Sequence, residues 1–213
     1  MTISDAPRRR GRPPKLTREA VVAAALEVLD ESGHNGLTMR AVAERLGVGK
    51  MSLYHHVADR AELERLAIEH LLAELDVPAP SLPWQERIAA LAHGVRALVR
   101  THPNATPLLA MREYTDPAAL RLPEAVMAAL HEAGLRGADV VGGARLVFGY
   151  AIGFAQLDLI GSPDPGASPM ESLPESDFPH VVAGARETRH HGLDAQFVLG
   201  LRPLLAGLAA CAG

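Results

Sequence analysis

Residues 37–57 read Leu-Thr-Met-Arg-Ala-Val-Ala-Glu-Arg-Leu-Gly-Val-Gly-Lys-Met-Ser-Leu-Tyr-His-His-Val, and the fold is decided there. Thr38 is a side-chain N-cap, Val42, Ala43 and Leu46 recur at helical spacing, and Gly47 supplies the positive φ that ends a helix in a tight turn. A second short helix follows from about Lys50 to Val57. Helix, glycine turn, helix at this spacing is a helix-turn-helix. In that geometry the first helix crosses a DNA backbone and the second lies in the major groove, so the outward residues Gly49, Lys50, Met51, Ser52, Tyr54 and His56 would meet base edges. A helical hairpin that binds nothing has the same spacing, and the flanking charge is what argues against it.

That charge lies upstream. The net charge of −4 over 213 residues gives no hint of a nucleic-acid partner, but its distribution does. Arg8, Arg9, Arg10, Arg12, Lys15 and Arg18 stand together with no acid among them, whereas Gly161 to Pro179 carries Asp164, Glu171, Glu175 and Asp177 and no base. Residues 1–16 contain Pro7, Pro13 and Pro14 and no apolar periodicity, which describes a flexible basic arm. Within it Arg10-Gly11-Arg12-Pro13 has the form of an AT-hook core, whose extended arginines lie in a narrow minor groove, or of a plain basic tail that neutralises phosphates.

Around the motif the periodicity is helical throughout. Thr17 caps a helix with Val21, Val22, Ala25, Leu26 and Leu29 on one face, ending at Gly33, and Ala58-Asp59 caps another carrying Leu63, Leu66, Ala67, His70 and Leu71. Four helices thus occupy residues 17–76. The proline-rich Val77 to Pro83 marks a joint, and a larger helical domain follows over 84–213. Its spacing predicts a helix with Ile88, Leu91, Ala92, Val95, Leu98 and Val99 buried, shorter stretches over 107–114 and 117–133, a helix over 138–160 apolar on more than one side, a long acidic loop over 161–179, and a last helix over 193–210. The fold class is all-α: a three-to-four-helix bundle, then a larger helical ligand-binding and dimerisation domain. Charges interrupt every apolar stretch, so no membrane span is expected. The arginines near the start lack an apolar run behind them, so no secretory signal is read and a cytoplasmic location is expected. Cys211 is the one cysteine, which excludes an intrachain disulfide.

With these residues in place, the run from Thr17 to about Leu75 resembles the DNA-binding domain of the TetR family of bacterial transcriptional regulators. The resemblance rests on Leu37-Thr38, Ala43, Leu46-Gly47-Val48, Leu53-Tyr54-x-His56-Val57 and Arg60. It extends more weakly through Pro83-Trp84, His102-Pro103, Gly149-Tyr150-Ala151-Ile152-Gly153-Phe154 and Phe197-x-x-Gly200-Leu201, which look like the effector domain of the tetracycline-repressor branch. The resemblance implies that Arg40 contacts a base or phosphate, that Lys50, Met51 and Ser52 read bases, and that Tyr54, His56 and Arg60 anchor phosphates. Thr38, His55, Arg10 and Arg12 complete the DNA-contact candidates. Lys50 and Arg40 can donate to guanine N7 and O6, Ser52 suits several base edges, and Met51 can touch a thymine methyl. Met51 stands where the tetracycline repressor has proline, and Gly49-Lys50 replaces an acid-amide pair, so a distinct operator is expected.

A single helix-turn-helix buries too little surface for tight specific binding, so a homodimer on a palindromic operator is expected, joined through the helices near 138–160 and 193–210. A small-molecule effector would bind between Trp84 and Leu159, with His93, Met111, Met127, Phe148 and Ile152 as candidate contacts. It would shift the helix from Arg60 to Asp76 and so release the DNA. The expected ligand is largely apolar with a few polar groups; no cofactor or metal is expected, and the chain lacks HExxH, CxxC, GxSxG and a complete P-loop, so it is not read as an enzyme. His190-His191 beside the acidic loop fits a solvated pair or a ligand-gating role. Two alternatives stay open: an architectural A·T-preferring DNA-binding protein without an effector, and an enzyme on a regulator fold.

Overall fold

The first helix begins where Thr17 can cap it, its hydroxyl accepting the Ala20 N–H at 3.2 Å. In the computed structural model, which describes residues 16–109, 116–160 and 168–211, helix α1 spans Arg18–Gly36 and buries Val21, Val22, Ala24, Ala25, Val28 and Leu29. The sequence reading ended it at Gly33. The structure kinks there instead, with φ 70° and ψ 177°, and resumes for one more turn. A glycine can take this conformation without a Cβ clash, so the helix bends rather than stops.

Helix α2, Met39–Leu46, is capped by Thr38, whose side chain accepts the Ala41 N–H at 3.1 Å. It ends on Gly47 in the left-handed region, φ 66°, with the Gly47 N–H on Glu44 O at 3.1 Å and the Val48 N–H on Ala43 O at 3.0 Å. These two bonds are the Schellman pair that satisfies the last carbonyls of a helix. Helix α3 is Lys50–Tyr54, shorter than the run to Val57 read from sequence. His56 and Val57 both donate to Leu53 O, at 2.9 and 3.1 Å, so the chain leaves the helix through a turn. Helix α4, Arg60–Ala73, starts with a reciprocal cap: the Glu62 N–H donates to Asp59 Oδ1 at 2.8 Å and the Ala58 N–H to Glu62 Oε2 at 2.6 Å.

The chain divides into two compact units between Ala67 and Ile68. The division lies inside α4, ahead of the Val77 to Pro83 joint that the prolines mark. In the second unit α5 (Trp84–Thr101) touches α7 (Pro117–Glu132) and α8 (Ala138–Ile160), which also touch each other, and α10 (Leu193–Ala210) lies along α8. The α5 residues read as its apolar face, Ile88, Leu91, Ala92, Val95, Leu98 and Val99, are all buried. Between these helices come a 3-10 turn at Pro103–Ala105, a short α6 (Thr106–Leu109), a second 3-10 turn at Pro169–Ser172, and α9 (Pro179–His190). The helix expected over 107–114 is described up to Leu109, and its remaining residues lie outside the described ones. Helix α9 was not read from sequence: it buries Val182 and Ala185, too sparse an apolar pattern to register as a period. Ten helices and no strand stand among the described residues.

The charges that break the apolar stretches do not by themselves decide against a membrane span. By length and composition α8 and α10 are both long and apolar enough to cross a membrane. Their charges, Asp139, Arg145 and Asp158 in one and Asp194 and Arg202 in the other, are too few to exclude it.

The left-handed Gly47 yields the first test. A Cβ added there meets no atom within 4 Å, so Gly47→Ala is penalised by backbone conformation alone, and we expect a loss of about 1 kcal/mol in urea unfolding. Gly47→Asn, which tolerates this conformation better, should lose less.

Candidate nucleic-acid interface

Helix α3 presents its face by burying one side chain. Leu53 is fully buried and Val57, just beyond the helix, is 1% exposed, so the residues between and before them are turned outward. Lys50, Met51, Ser52, Tyr54 and His55 are exposed, Met51 at 72%, and His56 is half-buried. The Lys50 ammonium lies 5.6 Å from the Tyr54 ring centroid, a cation–π contact that holds both side chains over the helix start. The structure therefore brings the expected base readers together on one surface: a cation, a thioether, a hydroxyl, a phenol and an imidazole.

The residues of α2 and α4 divide into outward and inward roles. Thr38 is spent on its cap. Arg40 is exposed and paired with Glu44 at 2.7 Å, which raises its pKa; a solvent-screened pair of this kind is weak and can be exchanged for a phosphate. Arg45 reaches back to α1, donating to Glu27 at 3.0 Å and to Glu31, whose carboxyl it holds below the usual range. Arg60, expected among the phosphate anchors, is engaged within the bundle. Its Nε donates to Glu64 at 2.6 Å and its Nη2 to the His34 carbonyl at 2.8 Å, while Glu64 also meets His34 Nε2 at 3.0 Å. Arg10 and Arg12 lie outside the described residues.

In the second unit the sequence reading named His93 as a polar candidate, and the structure adds a buried arginine that it did not name. His93, on α5, stands edge-on to Phe197 at 4.7 Å between centroids, and burial together with nearby Arg96 lowers its pKa. Met127 borders a cleft of about 420 Å³ along α7 with Pro117, Leu120, Arg121, Pro123 and Glu124. Phe148 and Ile152 are half-buried on α8, and Met111 lies outside the described residues. The side chain that organises this unit is Arg96, 3% exposed. Its Nε and Nη2 donate to Asp158 at 2.6 and 2.9 Å, its Nη1 meets Asp194 at 2.9 Å, and its guanidinium lies 5.2 and 4.7 Å from the Phe154 and Phe197 rings. The Tyr150 hydroxyl donates to Phe197 O at 2.6 Å. A Cβ at Gly200 would stand 2.4 Å from that hydroxyl oxygen, so glycine is what lets the ring lie there. The signal for Arg96 was present in the sequence: it sits four residues after Ala92 and next to Val95, on the face read as apolar, where an arginine must have a buried partner.

Comparison with known proteins matches both units. Residues 21–67 match the model of bacterial regulatory proteins of the tetR family, and residues 77–212 match the tetracyclin repressor-like C-terminal domain. An HTH-type transcriptional regulator of Saccharopolyspora erythraea is 34% identical over 94% of this chain and 87% of its own. The class A tetracycline repressor protein of transposon 1721 from Escherichia coli is 30% identical over 92% and 91%. Among solved structures, apo ActR of Streptomyces coelicolor superposes with a TM-score of 0.79 at 30% identity, covering 95% of this chain and 98% of that one. ActR has also been solved in complex with actinorhodin, at a TM-score of 0.77 and 29% identity over 94% of this chain and 98% of that one.

The buried pair allows a stability test. Asp158 has 5% of its side chain exposed and Asp194 has 81%. Asp158→Ala leaves Arg96 buried without its two-pronged partner and should cost about 3 kcal/mol in urea unfolding. Asp194→Ala removes a screened contact and should cost under about 1 kcal/mol; equal losses would contradict this assignment.

Proposed function

The chain belongs to the TetR family of bacterial regulatory proteins, which are ligand-responsive transcriptional repressors, and from that premise we propose that it binds a palindromic operator as a homodimer in the cytoplasm and is released by a small molecule. The observation that carries the reading is the α3 face: Lys50, Met51, Ser52, Tyr54 and His55 exposed over a buried Leu53. Lys50 and Ser52 supply base-edge hydrogen bonds, Met51 supplies the apolar contact, and Tyr54 and Arg40 reach phosphates. Thr38, His55 and His56 flank these contacts. Arg60 serves them indirectly, by fixing the start of α4 to the end of α1. Arg10 and Arg12 add sequence-independent affinity from the arm.

Dimerisation is supported by an unpartnered stripe on α8. Gly142, Leu146, Gly149, Gly153, Leu157 and Ile160 recur at three- and four-residue spacing, which places them along one line of the helix. The three leucine and isoleucine side chains are 52%, 58% and 78% exposed, and a Cβ at any of the three glycines would meet no atom within 4 Å. An apolar line interrupted by glycines suits a second helix approaching closely. On α10, Val198 and Leu199 are likewise about half exposed, at 46% and 50%. Burial against a second copy gives these two membrane-length helices an apolar partner without a bilayer. The effector, in this reading, occupies the unit built by α5, α7 and α8, whose candidate contacts are His93, Met127, Phe148 and Ile152.

Selection from a random duplex pool should enrich an inverted repeat. Lys50→Ala should weaken binding to the winning sequence by about 1–3 kcal/mol while leaving non-specific affinity nearly unchanged. Enrichment of A·T content alone, lost on deleting residues 1–16, would support the architectural alternative instead. Light scattering should report a dimer mass for the wild type, and Leu146→Glu should shift it toward the monomer; a monomeric wild type would refute the stripe as an interface.

A further inference from the structure

Beside the aromatic cluster, the end of α5, the end of α8 and the start of α10 enclose a cleft of about 400 Å³ lined by Arg96, Arg100, Asp158, Leu159, Gly192, Leu193 and Asp194. Its size suits a small organic molecule. None of the effector candidates read from sequence is among its lining residues.

The charges in this cleft are arranged unequally. Asp158 and Arg96 form a buried, two-pronged pair, 5% and 4% exposed in their side chains. Asp194 is different: its side chain is 81% exposed, yet one oxygen, Oδ1, receives Arg96 Nη1 at 2.9 Å and Arg100 Nη1 at 3.4 Å. Two guanidinium groups converge on a single oxygen position, one buried and one at the rim, with Arg100 51% exposed. The carboxylate filling that position belongs to the first turn of α10 and is solvated on its other sides, so its hold is weak. Leu159 and Leu193, 45% and 37% exposed, form an apolar wall. Exposed leucines beside a converging pair of arginines describe a receptor for a molecule with an anionic head and an apolar body.

We propose that this cleft binds an organic carboxylic acid whose carboxylate displaces Asp194 from Arg96 and Arg100 while its apolar part covers Leu159 and Leu193. Asp194 is then a built-in competitor that occupies the anion position until the ligand arrives. Displacement frees the first turn of α10 from α5, so occupancy is transmitted to a helix of the proposed dimer. That consequence rests on the repressor reading above; the binding event does not.

The probe is octanoate, with octanamide as its uncharged counterpart, titrated by calorimetry into the full-length protein without DNA. Octanoate should bind and octanamide should bind at least about tenfold more weakly, since a charge-assisted bond is at stake. Asp194→Asn removes the competitor's charge and should tighten octanoate by up to about fivefold, the limit set by a contact worth under about 1 kcal/mol, whereas Arg100→Gln, at a half-exposed position, should weaken it by a similar factor. Equal binding of octanoate and octanamide, no octanoate binding to wild type and Asp194→Asn, or an Asp194→Asn variant no tighter than wild type would each overturn the proposal. Any of these failures with operator binding intact leaves the repressor reading standing, and octanoate binding without operator binding would refute the repressor reading alone.

Discussion

A helix of five residues does not persist in water by itself, because nucleating its first turn costs more than its few hydrogen bonds return. Helix α3 exists because Leu53 and Val57 are buried in the bundle. This anchoring is the constraint from which the rest of the first unit follows. To bury Leu53, the chain must reverse sharply after α2, which the left-handed Gly47 permits. To keep the bundle from opening under that reversal, α1 is tied to α2 by Arg45 and to α4 by Arg60, His34 and Glu64. Two arginines are thereby spent inside the unit, whereas Lys50 and Arg40 face outward, Arg40 in a solvent-screened pair with Glu44.

The second unit faces a related problem in a different form. Helix α5 places Arg96 in its buried face, and a buried cation must be neutralised and hydrogen-bonded where it stands. Asp158 meets the requirement with two bonds, while Phe154 and Phe197 cover the guanidinium with their rings. The consequence is long-range in sequence: residues on α5, α8 and α10 are bound into one cluster. The paired charge adds a directional contact among these helices to their apolar packing.

How much was legible in the sequence depended on whether the signal was local. The capping residues Thr17, Thr38 and Asp59, the Gly47 turn and the α5 periodicity were readable because each acts within a few residues of itself, and the structure places them as read. The exposed α3 face followed from the same local pattern. The partners of Arg60, His34 and Glu64, were not legible, because they belong to a pairing that only the tertiary fold creates. Arg96 carried a local signal in its place on the apolar face of α5, but its partners Asp158 and Asp194 lie on helices far along the chain. The short α9 escaped because Val182 and Ala185 are two buried side chains in a polar run, which leaves no period to detect.

The exposed stripe of α8 and the buried cluster at its end share the same turns of one helix. Asp158 stands one residue after the exposed Leu157 and two before the exposed Ile160, so a helix with an exposed apolar line is held at the same turn to α5 through Arg96. Helix α10 repeats the pattern, with Asp194 at its start and Val198 and Leu199 a turn later. On α8 a buried charge pair fixes the inner side, on α10 only a solvated contact does so, and on both helices apolar surface is left exposed. A change in the pairing of Arg96 therefore acts on the same turns that carry the unpartnered apolar residues, because a packed helix moves as a rigid element and not residue by residue. The carboxylate of Asp194, solvated over most of its surface, is the weakest contact in that arrangement, whereas the pair of Arg96 with Asp158 is buried on both sides.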